Sequence, residues 1–188
     1  MKRSLILTAL ILVLSASLAQ ANLISNPSFE TIGADWSYSD VDWWSGWTAK
    51  DGSLSIDVSG WSAGSISQSF ATQMGQTYDV TFWLAGNPDG GPTIKTVQVS
   101  AGSVSGLQYT FDTTGHNHTN MGWVEKAFSF TATGTNTTLT FTSLNATHYG
   151  PAIDLVNVEK ATVPDPGVLF LLAPGLIGIA TLKRKYRN

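Results

Sequence analysis

The sequence predicts an all-β domain, an antiparallel β-sandwich or jelly roll, between two terminal segments of a different kind. Three observations support this prediction. Residues 22–162 contain no helical period of useful length, they alternate apolar with polar residues over short stretches, and turn-forming residues separate those stretches. Many short strands with no helices between them are typical of two packed antiparallel sheets.

The first third of the domain has weak periodicity. The stretch 22–24 predicts a short first strand, and the turn 26–28 follows it. Residues 33–53 show little alternation and are predicted as one long loop rich in aromatic residues. Two strands are then predicted at 54–58 and 64–70.

The strand with the clearest pattern is predicted at 77–85. Apolar or aromatic residues occupy every second position there, which indicates one buried face. The segment 87–92, with two prolines and two glycines, predicts the turn that ends it. Five further strands are predicted at 94–101, 107–111, 123–131, 138–143 and 152–160.

Composition limits the chemistry of the domain. The chain contains no cysteine, so no disulfide can stabilise it and no thiolate can bind a metal or attack a substrate. Between residues 22 and 163, four lysines stand against twelve carboxylates, a net charge of −8. Such a surface repels phosphate backbones and argues against nucleic acid as a partner. Cations and neutral polar ligands remain compatible with it.

The first 21 residues have the parts of a secretory signal peptide. Two basic residues precede an apolar run at 5–14, and Ala19 and Ala21 fit a small-residue cleavage site. The alternative is a retained membrane anchor, but the run is short for a spanning helix. We therefore expect export, with the mature chain beginning at Asn22.

The C-terminal segment 163–188 contains a proline motif, an apolar run and a basic tail. The motif consists of Val163, Pro164, Asp165 and Pro166. The run at 167–182 is shorter than the about 20 residues of a standard spanning helix, although flanking basic side chains can extend its reach. A basic end stays in the cytoplasm, so a short transmembrane helix here would hold the domain outside.

This arrangement resembles the PEP-CTERM sorting signal of Gram-negative bacteria. The resemblance implies recognition by an exosortase, transient or stable membrane anchoring, and a final location at the cell surface or in the extracellular matrix. Asp165 stands where that signal usually has glutamate, while both prolines are kept. A plain C-terminal anchor helix is the alternative.

The most distinctive feature of the domain is the aromatic cluster in the loop 33–53. Indole and phenol rings are rigid apolar platforms with one polar group, which suits the C–H faces of sugars. Neighbouring carboxylates can accept hydrogen bonds from sugar hydroxyls. The predicted carbohydrate-binding residues are Trp36, Tyr38, Trp43, Trp44, Asp40 and Asp42. The alternative is that these rings close the end of the sandwich, as we expect for Trp47. Packing in or beside strands is expected for Trp61, Trp83 and Trp123.

Several blocks along the domain carry a family resemblance. They are N-P-S-F-E at 26–30, G-W at 46–47, and the stretches 64–70, 75–87 and 150–154. These blocks resemble those of the bacterial choice-of-anchor C proteins, which are related to a domain of unknown function found also in plant cell-wall proteins. The resemblance implies a galactose-binding-like jelly roll, the fold of many carbohydrate-binding modules, and implies no known activity.

The same resemblance implies a structural calcium ion between the first and last strands. Carried over to this sequence, its ligands are the carboxylates of Glu30 and Asp154, with oxygens from the loop at Asp51 and Ser53. Calcium takes six to eight oxygen ligands, so such a set is chemically suitable. The alternative is that Glu30 caps a turn and Asp154 is a hydrogen-bonded acid at the end of a strand.

The sequence gives little support for catalysis. It has no cysteine nucleophile and no G-x-S-x-G motif, and nothing in it pairs two carboxylates for glycoside hydrolysis. We therefore predict an exported, non-catalytic module that binds polysaccharide. The alternatives are an adhesion or matrix protein without a sugar site and, less favoured by the residues, a glycosidase.

Overall fold

A computed structural model describes residues 20–44 and 46–162 of the chain. The predicted signal peptide up to Ala19 lies outside the described residues. So do the predicted sorting motif of Val163, Pro164, Asp165 and Pro166 and the apolar run after it. Within the described residues, no helix is both long and apolar enough to cross a bilayer.

The described residues form ten strands in two antiparallel sheets of five. The strands are β1 (Ser37–Ser39), β2 (Asp42–Trp44), β3 (Ser55–Asp57), β4 (Ser65–Ala71), β5 (Thr77–Gly86), β6 (Ile94–Ala101), β7 (Val104–Asp112), β8 (Val124–Thr131), β9 (Asn136–Ser143) and β10 (Pro151–Lys160). One sheet has the order β1-β4-β9-β6-β7 and the other the order β2-β3-β10-β5-β8. The predicted all-β antiparallel sandwich is confirmed.

The core lies between the two sheets because the long strands bury alternate side chains. In β5, Tyr78, Val80, Phe82 and Leu84 are buried, and Thr77, Asp79, Thr81 and Trp83 between them are half-buried. The ring of Phe82 meets that of Phe141 from the opposite sheet, with centroids 5.0 Å apart. Burying one such side chain contributes about 1.5–3 kcal/mol.

The strand predictions hold from residue 54 onward and fail before it. All eight strands predicted there exist, with ends shifted by at most three residues. The strand predicted at 22–24 is wrong. This segment runs beside β10, but the Asn22 side chain makes most of its hydrogen bonds to β10, and no regular backbone ladder forms. The Asn22 side-chain amide donates to Val156 O at 2.8 Å, and Leu23 N donates to Val158 O at 2.8 Å.

The segment predicted as one aromatic loop contains two short strands, which corrects that prediction. Strand β1 pairs with β4 in one sheet, and β2 pairs with β3 in the other. Asp40 lies between them with a φ of 53°, a left-handed conformation that lets the chain turn from one sheet to the other. The aromatic side chains are therefore placed on two sheet edges.

Several connections meet at one end of the sandwich, which we call the loop end. It consists of residues 40–41, 58–64, 87–93, 113–123 and 144–150. Hydrogen bonds tie these loops together: Gly60 N donates to Asp40 O at 2.7 Å, and Asn87 N donates to Gly150 O at 2.9 Å. The loop end carries much of the candidate site.

Candidate functional site

Two of the predicted sugar-binding rings form a pair across the edge of the sandwich. Tyr38 on β1 and Trp43 on β2 pack edge to face, with ring centroids 4.5 Å apart. Tyr38 is 54% exposed, whereas Trp43 is half-buried against the core. Tyr38 therefore presents ring surface to solvent, and Trp43 supports it from behind.

A second pair follows along the chain. Trp44 is 37% exposed, and its ring lies 5.6 Å from that of Trp47. Trp47 is buried, and its indole N–H donates to the Ser55 hydroxyl at 2.6 Å. This burial agrees with the packing role expected for Trp47 and leaves Trp44 as the accessible ring of the pair.

Trp36 does not belong to a binding surface. It is 4% exposed, its ring packs 5.2 Å from that of Phe29, and its indole N–H donates to Asn26 O at 3.1 Å. A buried indole offers no free face to a sugar. The predicted sugar-binding role of Trp36 is therefore wrong, and the residue belongs to the core.

The two predicted acidic contacts differ. The carboxylate of Asp40 accepts hydrogen bonds from Trp61 N at 2.8 Å and from both the backbone and the hydroxyl of Ser62. These bonds, that from the Ser62 hydroxyl most strongly, hold the pKa of Asp40 below its usual value. Asp42 is exposed at the start of β2. Asp40 thus fixes a neighbouring loop, and Asp42 is the acid open to solvent.

Trp61 is the functional candidate that the sequence-based interpretation missed. We expected it to pack, but it is 82% exposed between β3 and β4. Its ring meets the His148 imidazole edge to face, with centroids 4.7 Å apart. A sequence signal does exist: Trp61 is flanked by small and turn-forming residues in G-W-S-A-G at 60–64, a context that offers an indole nothing to pack against.

The other two tryptophans expected to pack are half-buried. The Lys50 ammonium lies 3.5 Å from the centre of the Trp83 ring, a cation–π contact. The Trp123 indole N–H donates to Thr48 O at 2.9 Å. Both rings therefore hold the segment that follows Trp47 against the outside of the sheet.

A groove of about 420 Å³ opens at the loop end between two connections. It is lined by Pro88, Asp89, His116, Asn117, His118 and Thr119. His118 Nε2 lies 2.7 Å from Asp89 Oδ1, and both side chains are partly exposed. The His118 ring also lies 6.2 Å from that of Trp47. His118 therefore lines the groove and also packs against the buried ring of Trp47.

The four predicted calcium ligands do gather around one loop, residues 50–54. Oε1 of Glu30 accepts hydrogen bonds from Ser53 N at 2.9 Å and Leu54 N at 2.7 Å. The Asp51 carboxylate accepts one from the Ser28 hydroxyl at 2.7 Å. The loop thus turns backbone N–H groups toward Glu30, where the calcium hypothesis expected oxygens.

Asp154 is bound in the same way from the other side. It is buried, and its Oδ2 accepts hydrogen bonds from Lys50 N at 2.8 Å and Asp51 N at 3.0 Å. Burial raises its pKa to about 6, against the opposing effect of these hydrogen bonds.

The hydrogen bonds from the backbone of residues 50–54 to Glu30 and Asp154 fix this loop, and we call them the lock. The arrangement fits such a set of hydrogen bonds better than a cation site, because N–H donors do not ligate a metal. Within the described residues, no group of three or more acidic, histidine or cysteine side chains could hold a metal ion. Calcium stays a prediction.

Ten strands in two packed antiparallel sheets define a jelly-roll β-sandwich. The chain belongs to the family described as "Protein of unknown function (DUF642)", which matches residues 35–159. This supports the predicted relation to a domain family of unknown function.

Solved structures share the fold at low sequence identity. The carbohydrate-binding module TmCBM61, in complex with β-1,4-galactotriose, is 18% identical, with a TM-score of 0.52 over 75% of this chain and 99% of that one. The CBM22-1 xylan-binding domain of Paenibacillus barcinonensis Xyn10C is 16% identical, with a TM-score of 0.52 over 79% and 100%. The K1 cleaved adhesin domain of Lys-gingipain from Porphyromonas gingivalis W83 is 14% identical, with a TM-score of 0.54 over 72% and 96%.

One curated relative matches over most of this chain. It is halomucin from Haloquadratum walsbyi, 28% identical over 176 residues, which cover 80% of this chain. The match spans only 2% of the length of halomucin.

Proposed function

We propose that this chain is an exported, non-catalytic module that binds polysaccharide through aromatic rings on its strand edges and loop end. One observation carries the proposal: Tyr38 and Trp44 expose ring surface while each packs on a supporting aromatic residue. Exposed rings held rigid lose little conformational freedom when a sugar stacks on them. The carbohydrate-binding modules that share the fold support the same function.

The acids with raised pKa values argue against glycoside hydrolysis. Burial raises the pKa of Asp57 to about 7 and that of Asp154 to about 6, values that would suit a general acid. Both side chains are buried, however, and both accept hydrogen bonds from backbone N–H groups. Neither carboxyl group can reach a glycosidic bond, which supports a binding role without catalysis.

We place the module at the cell surface or in the extracellular matrix of a Gram-negative bacterium. The PEP-CTERM-like tail, with Pro164, Asp165 and Pro166, supports sorting by an exosortase, and the segment ending at Ala21 supports export. The order of the domain blocks supports membership of the choice-of-anchor C proteins. The similarity to halomucin is consistent with a location outside the cell.

A second candidate is an adhesion or matrix protein. The similarity in fold to an adhesin domain favours it, and exposed rings can also bind protein partners. The two functions differ in solution: an adhesin should self-associate or bind a protein partner whatever sugar is present, whereas a sugar-binding module should respond to polysaccharide alone.

The test is retention of the purified protein in native gels that contain β-1,4-galactan or xylan. We expect at least one polymer to retard the protein, and we expect Trp44→Ala and Tyr38→Ala to weaken retardation at least several-fold. Thr110→Ala, on the exposed face of β7, is the matched control and should behave as wild type. Equal mobility with and without both polymers, together with concentration-dependent self-association, would favour the adhesin.

A further inference from the structure

Trp61 stands apart from the other tryptophans of the described residues because of its exposure. At 82% exposure, Trp61 is the most exposed tryptophan among the described residues. A single exposed apolar side chain is ordinary on protein surfaces and is no site by itself. What distinguishes Trp61 is how firmly the surrounding structure holds it in that position.

A single acid fixes the backbone beneath the exposed ring. The Asp40 carboxylate accepts hydrogen bonds from Trp61 N and from Ser62 N, and the Asp40 carbonyl accepts one from Gly60 N. Three consecutive residues are thus tied to one neighbour across the loop end. Few loop conformations remain to be lost on binding, which favours affinity.

A second loop fixes the ring. His148, between β9 and β10, meets Trp61 at an interplanar angle of 73°, so the two rings form a corner. The neighbouring Tyr149 carbonyl accepts a hydrogen bond from Lys95 Nζ at 2.7 Å. Because Lys95 is buried, this bond anchors the His148 loop to the interior of the sandwich.

An open corner of an indole and an imidazole suits a pyranose ring. The apolar C–H face of a sugar can stack on the indole, while the imidazole nitrogens can exchange hydrogen bonds with its hydroxyls. The Asp40 carboxylate lies at the backbone of Trp61, and residues 22–163 carry a net charge of −8. An acidic sugar would therefore be repelled from this corner.

We infer that Trp61 and His148 form a second sugar-binding position, distinct from the Tyr38 and Trp44 rings and selective for neutral pyranose units. The inference rests on the proposed polysaccharide-binding function. It assigns Trp61 and His148 to direct contact with the sugar and Asp40 to positioning the loop that carries Trp61.

The first experiment maps protection of individual tryptophans. The protein is oxidised with N-bromosuccinimide in the presence or absence of β-1,4-galactan or xylan, and the modified peptides are identified by mass spectrometry. We expect Trp61 to be the most reactive tryptophan and to be protected at least about threefold by a polymer that binds. Trp36, which is buried, is the internal reference.

Variants test the assignment in the native-gel assay. Trp61→Ala should weaken binding about tenfold or more, which corresponds to at least 1.4 kcal/mol. Trp61→Phe should recover part of the affinity because it keeps a ring. Asp40→Ala should weaken binding less and should also loosen the loop, measured as faster amide exchange at residues 60–62. Because Trp61 is exposed, its replacement should leave the melting temperature unchanged.

The possible outcomes distinguish a failure of this inference from a failure of the proposed function. Binding that Trp61→Ala leaves intact, or that leaves Trp61 unprotected, would overturn this inference and leave the proposed function standing. Binding of polygalacturonate in preference to both neutral polymers would overturn the selectivity for neutral sugars. If the wild-type protein binds none of the three polymers, both proposals fail together.

Discussion

Two buried indole N–H groups show how a single polar atom affects the candidate site. The N–H of Trp47 donates to the Ser55 hydroxyl, whereas that of Trp43 is buried and finds no hydrogen-bond partner among the described residues. A buried donor without a partner costs about 1–3 kcal/mol. The N–H of Trp43 therefore costs stability, whereas its ring supports the exposed Tyr38.

Replacing each of these tryptophans by phenylalanine separates the N–H from the ring. Trp47→Phe should lower the free energy of unfolding by about 1–2 kcal/mol more than Trp43→Phe, because only the first breaks a hydrogen bond. Urea denaturation of both variants at one pH measures the difference. Equal losses in the two variants would mean that the Trp43 N–H is satisfied in solution.

At the scale of elements, the loop 50–54 is held by acids from distant parts of the sequence. Glu30 binds its C-terminal half and Asp154 its N-terminal half, in both cases through backbone N–H groups. Asp154 lies in β10, so the lock ties the start of the domain to its last strand. Such a lock can stabilise a domain without disulfides and without a metal.

The lock makes a prediction that separates it from calcium binding. Asp154→Ala should lower the free energy of unfolding by about 2–3 kcal/mol, because two loop N–H groups lose their acceptor. The loss should be equal in EDTA and in millimolar calcium, and Asp42→Asn, at an exposed acid, should change little. Thermal melts of the wild-type protein, Asp154→Ala and Asp42→Asn in both buffers provide the measurement. A calcium-dependent rise in melting temperature that Glu30→Gln removes would instead support the calcium site.

Strands and exposed rings differed in how well the sequence predicted them. β6 was predicted to the residue, because apolar and polar residues alternate from Thr96 to Ala101 and the turn 87–92 precedes the strand. β1 and β2 have three residues each, too few for a period to be detected, and their partners are set by long-range pairing. The burial of Trp36 and the exposure of Trp61 likewise depend on which distant elements lie above each ring.

At the scale of the whole molecule, the loop end rests on a buried polar network. Asp57 accepts hydrogen bonds from Ser59 N and from the Asn87 side-chain amide, each at 2.9 Å, and Lys95 donates to Gly90 O and Tyr149 O. Burial raises the pKa of Asp57 to about 7 and lowers that of Lys95. The loops that carry the proposed sugar contacts are therefore anchored to Lys95 and to Asp57, whose pKa is near neutral.

This network predicts a protein that is more stable in mild acid than at neutral pH. The pKa of Asp57 is about 7 in the folded state and about 3.9 when unfolded, so between these values the folded state holds a proton that the unfolded chain releases. Its contribution to stability therefore falls as pH rises through this window and is constant above it. Asp154, with a folded pKa of about 6, acts in the same direction.

We expect the free energy of unfolding to fall by roughly 4 kcal/mol between pH 5 and pH 7.5, measured by urea denaturation. Asp40 and Asp112, whose pKa values are lowered, oppose this trend only in stronger acid. Asp57→Asn should flatten the dependence between pH 6 and 7, whatever its effect on absolute stability. Glu125→Gln, at an exposed position of β8, should leave the slope nearly unchanged. Stability that is nearly constant between pH 6 and pH 7 in the wild-type protein would mean that Asp57 is already ionised in the folded state at pH 6.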